Sequence, residues 1–305
     1  MSGSRTRTVE AVLLYARAPA TTLAEFLLAL NDRRRPPGQD PFAIVLGQTL
    51  DLAKVSDGLC AIGIARTNRP LGGELLSEAL GDRYAALRAH DYDGAAARHS
   101  ATVTISATSP SGLPDAILTA HAGVSAMLAV SRPEAVLWLQ SKTIFAPEEI
   151  PPLDGLSFPV SLITRPVFRT VMPDVRGRRR ISFLSAGSED WFGKPVVVEP
   201  TPLPLPEALS VVDLFILRKL AGEDLLDTDR RFDFPGGIEV TVRHRPAEGT
   251  FRAGHIELTI RPSREGPREI RTPNVTPYGF KTVRGAPPAH ASPKAPKSPR
   301  LRGRT

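Results

Sequence analysis

The chain has only one cysteine, Cys60, inside the apolar run Leu59-Cys60-Ala61-Ile62. An intrachain disulfide is therefore excluded, and a reducing cytoplasm is the expected compartment. The first residues, Met1-Ser-Gly-Ser-Arg-Thr-Arg-Thr8, are polar and lack the apolar core of a secretion signal. A membrane span is not expected either. The most apolar stretch, Leu113 to Val130, carries Asp115 at its start and His121 inside, and it is marginal in length. Lysine is scarce beside frequent alanine, arginine and proline, a composition pointing to a bacterial, GC-rich source. No internal repeat is evident, so a solenoid is not expected.

The motifs of common chemistry are missing as well. Gly187-Ser-Glu-Asp-Trp-Phe-Gly193-Lys194-Pro195 has the look of a phosphate-binding loop. Its glycines are one residue too far apart, and Pro195 stands where a hydroxyl would meet Mg²⁺. Gly123-Val-Ser125-Ala-Met127 lacks the second glycine of a nucleophile elbow and lies within a helical pattern. His99, His244 and His255 have no metal-ligand spacing. Glu223, Asp224, Asp227, Asp229 and Asp233 are dense enough to attract Ca²⁺, but EF-hand spacing is absent and Arg230 and Arg231 interrupt them. A solvated acidic loop is expected there, and no catalytic, cofactor or metal site is assigned.

What is present is ordinary globular material. The chain has 305 residues, of which 41% are hydrophobic, enough for one large domain or two smaller ones. The net charge of +7 is unevenly spread. Residues 263 to 305 hold ten Lys or Arg and two Glu, a balance of +8, so the remainder sums to −1. A neutral body is not built to cover nucleic acid with its whole surface.

Leu113 to Gln140 reads as a helix, a turn and a strand. Pro114 and Asp115 suit a helix start. From Ile117 to Val130 no residue carries a fixed charge, which describes a buried helix. Gly123 weakens it and implies close backbone packing. Ala135 to Leu139 reads as a strand covered on both faces. Before this stretch, Val9 to Arg17 reads as a strand. Thr22-Leu-Ala-Glu25 then opens a helix with a capping box and a face of Leu23, Phe26, Leu27 and Leu30, which Arg33 to Gly38 closes. Strands follow at Phe42 to Leu46 (read as buried) and Leu59 to Ala65, then a short helix over Glu74 to Leu80 and a strand over Ala101 to Ser106. Ala85 to Ser100 has no clear pattern.

Later, a strand broken at Pro166, strands at Ile181 to Leu184 and Pro195 to Glu199, and a Pro-rich connector lead to a helix with Leu209, Val212, Ile216 and Leu220 on one face. Ile238 to Val242 and His255 to Ile260 read as an antiparallel pair.

The expected class is α+β, with mixed or antiparallel sheets and packed helices. The first half, residues 1 to 108, has the β-α-β-β-α-β order of a ferredoxin-like sandwich. A second α+β half spans 109 to 262, and residues 263 to 305 read as a disordered basic Pro-rich tail.

Three features resemble the uncharacterised bacterial DUF4261 family, a domain of unknown function. They are the His121 helix followed by Glu134-Ala-Val-Leu-Trp-Leu-Gln140 and Phe145-Ala-Pro-Glu-Glu149; Ser185-Ala-Gly-Ser-Glu-Asp-Trp-Phe-Gly193; and the helix to Leu220 followed by Leu225-Leu-Asp-Thr-Asp229. Where the family would have a Gly-Asp-Thr-Gly-like turn, this chain has Asp227-Thr-Asp-Arg230. The resemblance covers roughly residues 100 to 240 and implies a fold but no activity.

The expected function is a non-catalytic binding or regulatory role through another protein, with no membrane contact. Trp191 and Phe192, an aromatic pair in a polar loop, are candidate partner anchors. So are Pro293, Pro296 and Pro299, whose spacing by three aligns them on one edge of a polyproline II helix. The alternatives are an enzyme using His121 with the 223–233 acidic loop, and weak nucleic-acid tethering by the basic tail.

Overall fold

The computed structural model describes residues 8–32, 40–81, 90–151, 158–173, 179–234, 237–249 and 251–262. The tail with Pro293, Pro296 and Pro299 lies outside them, as do Arg33 to Gly38.

Two sheets with packed helices form the α+β class expected. The first sheet contains β1 (Thr8–Tyr15), β2 (Ala43–Thr49), β3 (Leu52–Ser56), β4 (Ala61–Thr67), β5 (Ala101–Thr108), β6 (Ala135–Trp138) and β7 (Thr143–Phe145). Its order is β2-β3-β4-β5-β1-β6-β7, and every pairing is antiparallel. Helices α1 (Leu23–Asn31) and α4 (Leu113–Val130) lie on one face; α2 (Gly73–Leu80) and α3 (Tyr92–Arg98) lie on the other, over Val12, Leu14, Ala135, Leu137 and Ile144.

The ferredoxin-like order needs correction. Strand β3 lies between the second and third expected strands, and helix α3 fills the unpatterned stretch before β5. The polar residues of Leu52-Ala-Lys-Val-Ser56 conceal a strand that buries only Ala53 and Val55. The first sheet also draws on the chain as far as Phe145. A division after residue 108 would part β1 from β6, its antiparallel neighbour. Strand β2, expected to be buried, is an edge strand with Ile44, Val45 and Leu46 exposed.

The second sheet contains β8 (Arg165–Pro173), β9 (Arg179–Ala186), β10 (Val196–Thr201), β11 (Arg230–Phe234), β12 (Ile238–Arg245) and β13 (His255–Pro262). Its order is β11-β12-β13-β10-β9-β8, antiparallel except for the parallel β10–β13 pair. Helix α6 (Leu205–Leu220) buries Ala208, Val211, Val212 and Phe215 against Val196, Val198, Val240, Val242, Ile256, Leu258 and Ile260. Pro166 is accommodated inside β8, which is an edge strand where a missing N–H does least harm.

Local chemistry explains the helices that position these layers. The Thr22 Oγ1 accepts from Glu25 N at 3.2 Å, and a Glu25 carboxylate oxygen accepts from Thr22 N at 2.8 Å. This reciprocal cap stabilises the start of α1 by about 1 kcal/mol. By length and composition α4 could cross a membrane, but most of it is buried inside this fold. It packs on β1, β4 and β5. A Cβ at Gly123 would stand 2.9 Å from Ile105 Cγ2 and 3.4 Å from Ile62 Cδ1. Ile216 and Leu220 of α6, with Phe158 to Ile163, join the same apolar cluster as α4.

Gly123→Val is expected to lower unfolding free energy by roughly 2–3 kcal/mol through overpacking against Ile105 and Ile62. Urea or thermal unfolding checks this; a wild-type stability would contradict the close approach.

Candidate functional site

The residues singled out from the sequence occupy separate places. His121 is 1% exposed, and its Nε2 lies 2.7 Å from the Pro151 carbonyl oxygen. Four of the acids in the 223–233 stretch are engaged by other partners. Glu223 pairs with Arg218 at 3.0 Å, Asp224 with Lys219, and Asp227 with Arg230 at 3.3 Å. Asp229 accepts from His244 N at 2.7 Å. The expected solvated loop is in part a strand, since Arg230 to Phe234 pair with β12. Alternation of Phe232 and Phe234 with charged neighbours was its signal, and Phe234 is buried against Phe215. Among the described residues, no group of three or more His, Cys, Asp or Glu is placed to hold a metal ion.

Trp191 and Phe192 sit on a short helix, α5 (Glu189–Phe192), that interrupts the expected loop. Both are half-buried. Trp191 packs edge-on against Phe158 at 5.7 Å, and Phe192 touches the apolar clusters of both sheets. The pair thus faces the core between the layers, which limits what it can offer a partner.

Two other features are concave or apolar enough to act. The first is a cleft of about 390 Å³ between the end of β1, the loop leading to α1, and the C-terminal end of α4. Tyr15, Arg17, Pro19, Thr21, Glu25, Ser131 and Arg132 are among its lining residues. The Ser131 hydroxyl donates to the Met127 carbonyl at 2.7 Å. Its single proton is thereby used, so the Tyr15 hydroxyl, 2.8 Å away, donates to Ser131 Oγ. Thr21 Oγ1 donates to the Val130 carbonyl at 3.1 Å. Burial pushes the Tyr15 phenol up to about 12, so it stays protonated at neutral pH. Arg66 holds the loop by donating to the Pro19 carbonyl at 2.9 Å while pairing with Asp51 at 2.9 Å. The two sides of the cleft, residues 15–25 and 130–132, are over a hundred positions apart in sequence and share no motif, so sequence reading could not assemble them.

The second feature is the β2–β3 edge. Asn31 ties the end of α1 to it, donating to the Phe42 carbonyl at 3.0 Å and accepting from Phe42 N at 2.9 Å. Val45 is 61% exposed, Leu46 58% and Leu52 65%. No charged residue lies in Ala43–Thr49, although natural edge strands are commonly guarded by charge. The β2–β3 register shifts twice, around Leu46. Gly47, at φ +79°, supplies the left-handed residue of this bulged turn, where a Cβ would collide with the Leu52 carbonyl.

Asp213 was missed from the sequence, although it falls on the α6 face of Leu209 and Ile216, four residues after one and three before the other. Burial raises its carboxyl to about 7, and it makes no hydrogen bond or ion pair among the described residues. An acid that binds its proton more tightly when folded stabilises the fold below the ordinary aspartate value and loses that contribution as pH rises through about 7. Asp213→Asn is therefore expected to be more stable than wild type by about 1–2 kcal/mol at pH ~8, after discounting for solvent access, with the gap closing toward pH ~4. Thermal melts across that range test the sign, and a gap that widens at low pH would refute it.

The chain matches no family model, no curated protein and no solved structure.

Proposed function

We propose that this chain is a non-catalytic binding or regulatory module that acts through contact with another protein, in a reducing cytoplasm that suits its single thiol. The observation that carries the reading is the apolar edge strand β2, uncharged from Ala43 to Thr49, where Ile44, Val45 and Leu46 are exposed beside Leu52 of β3, with Lys54 opposite Leu46 as the one charge on β3 and Leu28 exposed on α1. Clustered exposed apolar side chains favour a partner, because each one fully buried contributes about 1.5–3 kcal/mol. The two register shifts interrupt the row of backbone groups along β2. Side-chain contact with an apolar surface therefore suits this edge better than addition of a further strand.

The test compares wild type with the double variant Val45→Lys and Leu46→Lys in affinity capture from source-cell lysate. Loss of a captured protein is expected, with unfolding free energy within about 0.5 kcal/mol of wild type because both positions are exposed. Retention of every partner by the double variant would sink the reading.

The charge of the tail supports a second, separate reading. Residues 263–305 carry a balance of +8 and would contact phosphates weakly and without sequence preference. Binding to duplex DNA is expected to weaken steeply with added salt and to vanish in a chain ending at Pro262. Salt-insensitive binding would rule this out.

A further inference from the structure

We propose that the cleft at the C-terminal end of α4 binds a free α-amino acid. The inference is independent of the apolar edge and follows from how the cleft divides its donors from its acceptors.

Its donors are two guanidinium groups, Arg17 and Arg132, both exposed at the cleft. Among the described residues neither has an acidic partner, whereas Arg66 and Arg98 nearby are paired with Asp51 and with Asp91 and Glu134. A carboxylate, like a phosphate, matches the planar fork of guanidinium donors and can be held by two parallel hydrogen bonds.

The rest of the polar lining accepts. Tyr15, Ser131 and Thr21 have each committed their one hydroxyl proton to the protein, so their oxygens can only accept from a ligand. Glu25 adds a carboxylate that hydrogen bonds from the Thr22 backbone and hydroxyl hold below its ordinary value, and which is therefore ionised at neutral pH. The end of α4 carries the negative pole of the helix and has no basic residue in its last turn. These features call for a cation with several protons to donate. A phosphate or simple carboxylate would satisfy the arginines and leave the acceptors unmet. An ammonium group together with a carboxylate satisfies both sets. Pro19, Ala20 and Val130 provide apolar wall for a side chain, and the cleft of about 390 Å³ is at the small end of ligand sites.

The experiment is calorimetric titration of the full chain with each common L-amino acid, with acetate, inorganic phosphate and ethylamine as separate probes. At least one amino acid is expected to bind at least about tenfold more tightly than acetate, phosphate or ethylamine. Arg17→Ala with Arg132→Ala is expected to weaken that binding by about a hundredfold or more without moving the melting temperature of the ligand-free protein, since both side chains are exposed. Tyr15→Phe removes one acceptor and is expected to weaken binding by about five- to tenfold. Equal binding of phosphate, equal binding of ethylamine, unchanged binding in the double variant, or no amino acid bound at millimolar concentration would each overturn the proposal.

Discussion

The approach of α4 to the first sheet at Gly123 is the contact on which the remaining architecture depends. A helix without fixed charge from Ile117 to Val130 must be covered on every side. Gly123 lets its backbone settle onto Ile62 and Ile105, so β4 and β5 cover one side. The opposite side is then left to α1, the Phe158–Ile163 segment and the end of α6, all of which join one apolar cluster with it. The two sheets are therefore coupled by a shared core, and a change at α4 is felt in both.

That coupling sets what the surface can offer. Apolar side chains near α4 are consumed by the core, including Trp191, which turns inward onto Phe158. Apolar side chains far from α4, on the β2–β3 edge, have nothing in the described fold to cover them. The cleft forms where the helix emerges from its packing and β1 leaves the sheet, so its walls are tied to the packed core through the Tyr15–Ser131 and Thr21–Val130 hydrogen bonds. Tyr15, Ser131 and Thr21, held by their own hydrogen bonds on such a support, lose little freedom when a ligand arrives.

Much of the architecture was legible in the sequence, and the failures have specific causes. The capping box at Thr22 and Glu25, the buried helix, the Gly123 contact and the β12–β13 pair follow from local chemistry that tertiary structure leaves intact. The apolar run at Phe42–Leu46 gave a strand but not its burial, because an edge and a centre share the same composition. Strands β3 and β11 were hidden by polar residues on their open sides. Of the polar side chains that line the cleft, only Glu25 was given a role, and for capping. Tyr15 meets Ser131 across 116 positions, a separation for which one sequence holds no signal. Asp213 was visible as an acid on an apolar helical face, a conflict that local patterning flags but does not interpret.

The placement of β13 bears on the order in which the molecule assembles. It is the last described strand, yet it lies inside the second sheet, between β12 and β10. Its parallel partner, β10, ends at Thr201, some way back along the chain. During synthesis the first sheet has all its strands once Phe145 has emerged. The second stays divided, with β8–β9–β10 on one side and β11–β12 on the other, until residue 262 is available to bridge them. Non-local closure of this kind is slow. Through that interval the apolar face of α6 lacks part of its cover, so the nascent chain has one element that a chaperone would find exposed.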